Sequence, residues 1–141
     1  MNEKDRPDMQ ESPQKPTHCA TSDFAFFYAG LEADQLLIQK CSACGALRNP
    51  PGPMCPVCSS LEWTTVAAKG SGAVYSYTVH YHPPLAGFET PHPVVLVALD
   101  EGVRFIGSLR GVPINAIRIG MPVRVEFAVR DGLSTFNFRP A

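Results

Sequence analysis

Four cysteines carry the clearest chemistry in this chain. Cys41, Cys44, Cys55 and Cys58 form two Cys-x-x-Cys turns separated by ten residues. Each turn brings two sulfurs within reach of one ion, and two turns supply a closed, tetrahedral four-thiolate set. No position is left for water or substrate, so such a site is structural rather than catalytic. One zinc ion is the expected occupant. Iron is the rival, because soft thiolates accept both metals. A redox role for one pair is disfavoured, since a thioredoxin-type motif opens a helix in a βαβ context that is absent here. Two reduced, unligated pairs are the remaining reading. The fifth cysteine, Cys19, is an unpaired thiol. His80 and His82 share a strand face, with His92 across a loop. They lack an acidic ligand at a diagnostic spacing, so surface or loop packing is expected of them. There is no nucleophile elbow, phosphate loop or His-Glu-x-x-His sequence, and no catalytic residue is assigned.

The elements that must position the cysteines are short. Fourteen prolines and eleven glycines in 141 residues punctuate the chain too often for long helices. Residues 1–20 read as a disordered tail, polar and proline-bearing. The spacing predicts helix over residues 21–35, with Thr21, Ser22 or Asp23 as cap, Gly30 as a break, and Phe24, Phe27, Tyr28 and Leu31 on one face. Residues 36–66 read as the metal ribbon, entered by a strand at 36–40. Residues 67–141 alternate as five strands. In the first, Tyr75, Tyr77, Val79 and Tyr81 fall on one face and Val74, Ser76, Thr78, His80 and His82 on the other. The 94–99 strand is apolar on both faces and so central. Asp100-Glu101-Gly102 and Asp131-Gly132 are tight turns, and one helical turn is expected between Gly111 and Gly120. Val123, Val125, Phe127, Val129, Phe136 and Phe138 are expected to point inward. A long loop after the first strand, a tight hairpin and a longer connection fit an OB-fold barrel. The fold class is thus mainly β: a short helical segment, a zinc ribbon and a five-stranded OB-fold barrel.

Several separate motifs then occur in a recognisable order. They are Leu36-Leu37-Ile38-Gln39-Lys40-Cys41, Arg48-Asn49-Pro50-Pro51, Cys55-Pro56-Val57-Cys58, Gly70-Ser71-Gly72-Ala73-Val74-Tyr75, Leu99-Asp100-Glu101-Gly102 and Gly120-Met121-Pro122-Val123. Over residues 22–140 the chain resembles the family first described as domain of unknown function 35 (DUF35), which joins a rubredoxin-like zinc ribbon to an OB-fold. The resemblance implies a non-catalytic accessory protein that binds acyl-CoA, or scaffolds the enzyme that holds it. The partner implied is a thiolase, a MaoC-type hydratase or another acyl-CoA-processing enzyme, with a homodimer as a further option. Ser59 stands where the family often has glycine.

For such a ligand, Arg48, Arg104 and Arg110 suit the CoA phosphates, and Phe24, Phe27 and Phe88 suit the acyl or pantetheine arm. A solvated barrel face accounts for the arginines more simply, and ordinary helix packing accounts for the phenylalanines as well. The alternative function is a nucleic-acid-binding ribbon and OB-fold module. The charge opposes it: residues 70–141 carry six arginines and no lysine against five acidic residues, and the whole chain has a net charge of −1. Most of the barrel aromatics are also expected to alternate inward, leaving few for base stacking. No apolar run is long enough to cross a membrane. Residues 1–17 lack the apolar core of a secretory signal, so the cytoplasm is the expected location.

Overall fold

The structure is a computed structural model and describes residues 21–141; the expected tail and Cys19 lie outside the described residues. Helix α1 (Ala25–Glu32) comes first. It is followed by β1 (Leu37–Cys41), β2 (Leu47–Arg48), β3 (Trp63–Ala67), β4 (Ser71–His80), β5 (His92–Leu99), β6 (Arg104–Ser108), β7 (Pro122–Arg130) and β8 (Leu133–Pro140). A single 3-10 turn, Ile114–Ala116, occupies the β6–β7 connection.

The helix is shorter than its periodicity implied. Phe24 is its N-cap and no side chain caps it, so Thr21, Ser22 and Asp23 do not serve that role. Gly30 does not break it. Its missing side chain instead lets Leu37 pack close, since a Cβ there would lie 2.7 Å from Leu37 Cγ. The helix ends in a Schellman motif. Gln35 N–H donates to the Gly30 carbonyl and Asp34 N–H to that of Leu31, with Asp34 in the left-handed region. Phe27, Tyr28 and Leu31 face the core as the spacing predicts.

Two antiparallel sheets follow. The ribbon sheet has the order β2-β1-β3, and the second sheet has the order β6-β5-β4-β7-β8. The second closes through a parallel bridge between Leu109 and Phe138, which gives the order and closure of an OB-fold. Inward residues Val74, Val95, Val97, Leu99, Phe105, Leu109, Val123 and Phe138 are buried. Leu31, Leu36 and Ile38, from the helix and the ribbon, belong to the same core cluster. The apolar 94–99 run is flanked on both sides, by β4 and β6.

Two expectations about facing are corrected. β4 carries a bulge between Val74 and Ser76. The extra residue breaks strict alternation, and Tyr75, Tyr77 and Tyr81 are exposed rather than inward. Val129, near the end of the β7–β8 hairpin, is likewise exposed. Periodicity reads side-chain direction only while the ladder stays regular.

The register leaves one position no latitude. A Cβ on Gly72 would collide with the Ala98 carbonyl and lie 2.9 Å from Leu99 Cα. Both are backbone atoms of the paired strand. Gly72→Ala is therefore expected to destabilise the protein by about 1–3 kcal/mol, read as a lower urea midpoint with unchanged slope.

Candidate functional site: a thiolate cage and an apolar cleft

The four paired cysteines converge as their spacing predicts. Their sulfurs all lie within 4.8 Å of one another. Cys41 and Cys58 are 3.6 Å apart, as are Cys44 and Cys55. A tetrahedral four-thiolate site with metal–sulfur bonds of about 2.3 Å has sulfurs about 3.8 Å apart. The two turns are built alike. Gly45 N–H donates to the Cys41 carbonyl and Ser59 N–H to that of Cys55. Gly45 and Ser59 both have positive φ, 75° and 61°. The conformation is free for glycine, whereas Ser59 bears a cost of roughly 1 kcal/mol.

The donor chemistry fits a cation. Backbone N–H groups of Cys44 and then Ala43 pull the Cys41 thiol down to about 6, against the effect of burial. Those of Cys58 and Val57 lower Cys55. Cys58 accepts the Ser60 N–H, which lowers its pKa, but the neighbouring sulfurs of Cys41 and Cys44 together with burial push it up to about 12. The cage thus favours the first thiolates and resists the last, and a divalent cation relieves that repulsion. These four cysteines are positioned to bind one metal ion.

The ribbon also reaches the barrel. Gln39 is buried, and its Oε1 accepts from Arg48 Nε at 2.7 Å and from Gly52 N–H at 2.9 Å. Arg48 Nη2 donates to the Gly52 carbonyl. Arg48 therefore braces the proline loop from inside. The next residue, Asn49, donates from Nδ2 to the Arg104 carbonyl at 2.6 Å.

Beside that link lies a cleft of about 350 Å³, walled by Phe24 and Phe27 of α1, Asn49 and Pro50 of the ribbon, and Leu96, Arg104, Phe105, Ile106 and Phe136 of the barrel. Its lining is mostly apolar. The Arg104 guanidinium lies 3.7 Å from the Tyr75 ring centroid. A shallower cleft of about 200 Å³ continues from Leu96 and Ile106 along β4 and β5 to Thr78 and Val94.

The six ligand candidates separate into three places. Phe24, Phe27 and Arg104 meet in the cleft, and Arg48 is committed to the ribbon. Phe88 packs 4.8 Å from the His92 ring, beneath Arg130, and Arg110 acts on His92 from the same end of the barrel. Phe105 and Phe136 were legible only as barrel interior, and Asn49 and Pro50 only as ribbon loop. Ile106, at 68% exposed, was readable from strand alternation as outward-facing.

Residues 29–64 match the ChsH2 rubredoxin-like zinc ribbon domain, and residues 65–128 match the ChsH2 C-terminal OB-fold domain. The chain is 45% identical over 128 residues to a probable enoyl-CoA hydratase alpha subunit of Thermomonospora curvata, a match that covers 90% of this chain. It spans only 40% of that relative's length. It is 34% identical over 116 residues to a DUF35 domain-containing scaffold protein of Pyrococcus furiosus, covering 77% of this chain and 83% of the relative. In three dimensions it resembles a chain of the solved Ltp2-ChsH2(DUF35) aldolase, with a TM-score of 0.85 and 44% identity over 88% of this chain and 98% of that one.

Proposed function

Because this chain belongs to the DUF35 family of zinc-ribbon and OB-fold proteins, we propose that it is a non-catalytic subunit that holds an acyl-CoA thioester for a partner enzyme. The observation that carries this reading is the cleft. It is apolar enough for an acyl or pantetheine chain, and Arg104, whose guanidinium stacks on Tyr75, is among the residues that line it. Helix, ribbon and barrel all contribute to it, so it exists only when the three are assembled. The ribbon over 36–66 and the barrel over 67–141 act as its two halves. Zinc is the ion assigned to the cysteine cage, where it closes the ribbon and supports the Asn49–Pro50 wall.

The partner proposed is an acyl-CoA hydratase, aldolase or thiolase. Relatives carry names of the first two kinds, as subunits or in complex. No residue of the cleft is a nucleophile or a general base, so the reacting groups belong to the partner.

Calorimetry with a CoA thioester, alongside pull-down of acyl-CoA enzymes, tests the proposal. Ile106 is exposed and lines the cleft. Ile106→Asp is expected to weaken thioester binding at least about ten-fold, or about 1.4 kcal/mol, because an apolar chain laid against the carboxylate strips its water. Its stability should change by no more than about 0.5 kcal/mol. Absence of thioester binding together with capture of no acyl-CoA enzyme defeats the reading. Exposed Tyr75 and Tyr77 lend the nucleic-acid alternative two stacking surfaces. The near balance of arginines and acids in the barrel still denies it a phosphate-tracking groove, and salt-sensitive binding to single strands is not expected. No helix among the described residues is long and apolar enough to cross a membrane.

A further inference from the structure

The thiolate cage has an open side. In each Cys-x-x-Cys turn the first cysteine is held by its own backbone. Cys41 N–H donates to the Ala46 carbonyl, and the Cys41 carbonyl accepts from Gly45 N–H. Cys55 is tied in the same way to Ser60 and Ser59. Cys41 also pairs with Trp63 in the β1–β3 ladder. These two first cysteines are buried, whereas the second of each turn, Cys44 and Cys58, is exposed. A small solute therefore meets Cys44 and Cys58 first.

Each exposed cysteine has a buried one from the other turn beside it. The Cys44 and Cys55 sulfurs are 3.6 Å apart, and so are those of Cys58 and Cys41. A disulfide is about 2 Å long, so either pair bonds after an approach of about 1.6 Å. A bound cation keeps the sulfurs as thiolates, the form that reacts with peroxides. Access, ionisation and a resolving partner thus coincide at Cys44 and Cys58.

We propose that Cys44 and Cys58 are sites of peroxide oxidation, and that the disulfides Cys44–Cys55 and Cys41–Cys58 then replace the metal as staples of the ribbon. The Cys44 thiolate attacks one oxygen of hydrogen peroxide. The S–O bond forms, the O–O bond breaks and hydroxide leaves, giving a sulfenic acid. The Cys55 thiolate attacks that sulfur, the S–S bond forms, and a second hydroxide leaves. Each thiolate gives up one electron and the peroxide takes both. Cys58 and Cys41 react likewise with another peroxide. A divalent ion held there loses its ligands and dissociates with its charge unchanged. Both new bonds cross from one turn to the other. Cys44–Cys55 closes residues 45–54, and Cys41–Cys58 encloses the same loop, so the oxidised ribbon stays joined without metal. A dithiol reductant returns the electrons and restores the cage. The site does not depend on what the apolar cleft binds.

Stepwise addition of hydrogen peroxide to the zinc-loaded full chain tests this. Zinc release, read with a chromogenic chelator, should approach one ion per chain. Dimedone added at limiting peroxide should trap the sulfenic acid on Cys44 or Cys58. Peptide mapping should then find Cys44–Cys55 and Cys41–Cys58. Met54, at 52% exposed, is an internal reference, and zinc should leave before its sulfoxide appears. Trp63 emission should stay native in the oxidised, zinc-free chain. A dithiol added with chelator should shift it to the red, and a dithiol added with zinc should restore both emission and metal content. Cys19→Ser removes the one thiol outside the cage and should change none of this. First trapping at Cys41 or Cys55, disulfides within a turn, a red shift on oxidation, zinc kept until Met54 is oxidised, or release that requires Cys19 would each overturn the proposal.

Discussion

Cys55→Ser is expected to empty the metal site and unfold the ribbon. Cys55 is fully buried, and its sulfur is 3.6 Å from Cys44. A hydroxyl there is a poor substitute for a soft thiolate, and the other three sulfurs lose the tetrahedral closure. In small zinc modules the metal contributes on the order of 10 kcal/mol to folding. The segment has little else to rely on, because Met54, Val57 and Leu61 are all exposed. Elemental mass spectrometry should find one zinc per parent chain and none in the variant. Iron in its place would show as visible absorption of the thiolate complex. Trp63 provides a local readout, since it is the only tryptophan and its ring packs 5.2 Å from Phe26 of α1. Its emission should shift to the red in Cys55→Ser, or when a chelator strips the parent. Acid should do the same as protons displace the metal from sulfur. A variant that keeps native Trp63 emission and native exchange protection across the two turns would show that the ribbon folds without metal.

The second large effect is expected at Phe138. It is the largest side chain with no exposure, and it sits where the barrel closes, bridged to Leu109. Its ring packs 5.6 Å from Phe136. It also fills the space opposite Gly107, where a Cβ would stand 3.0 Å from two ring atoms. Phe138→Ala removes the ring from a site hemmed in by strands, which leaves little scope for collapse. A loss of about 3–5 kcal/mol is expected, seen as a lower denaturant midpoint. Phe136 and Phe105 wall the cleft from the same aromatic cluster, so thioester binding should weaken as well. A loss below about 1 kcal/mol would mean that the barrel closes without this ring.

Both effects trace back to features of different visibility. The thiolate cage was legible because four ligands within eighteen residues are held by local turns, whose geometry depends on few distant contacts. The strand order was legible from alternation and turn residues, and the family motifs reinforced it. Alternation held from buried Val74 to exposed Tyr75 and lapsed beyond the bulge, where Ser76, Tyr77 and Thr78 are all exposed. It misled at Val129 because that side chain is exposed near a hairpin end.

The cysteine spacing, the five-strand pattern and the helical face of Phe27 and Leu31 are properties of neighbours along the chain, and the sequence alone determined them. The cleft is not. Phe24, Asn49, Ile106 and Phe136 are scattered over more than a hundred residues, and nothing local relates them. Arg48 looked equivalent to Arg104 as a cation, yet a buried bond to Gln39 commits it to the ribbon. Tertiary packing decided which side chains share a cavity, because that depends on the register between strands and on where helix and ribbon dock against the barrel.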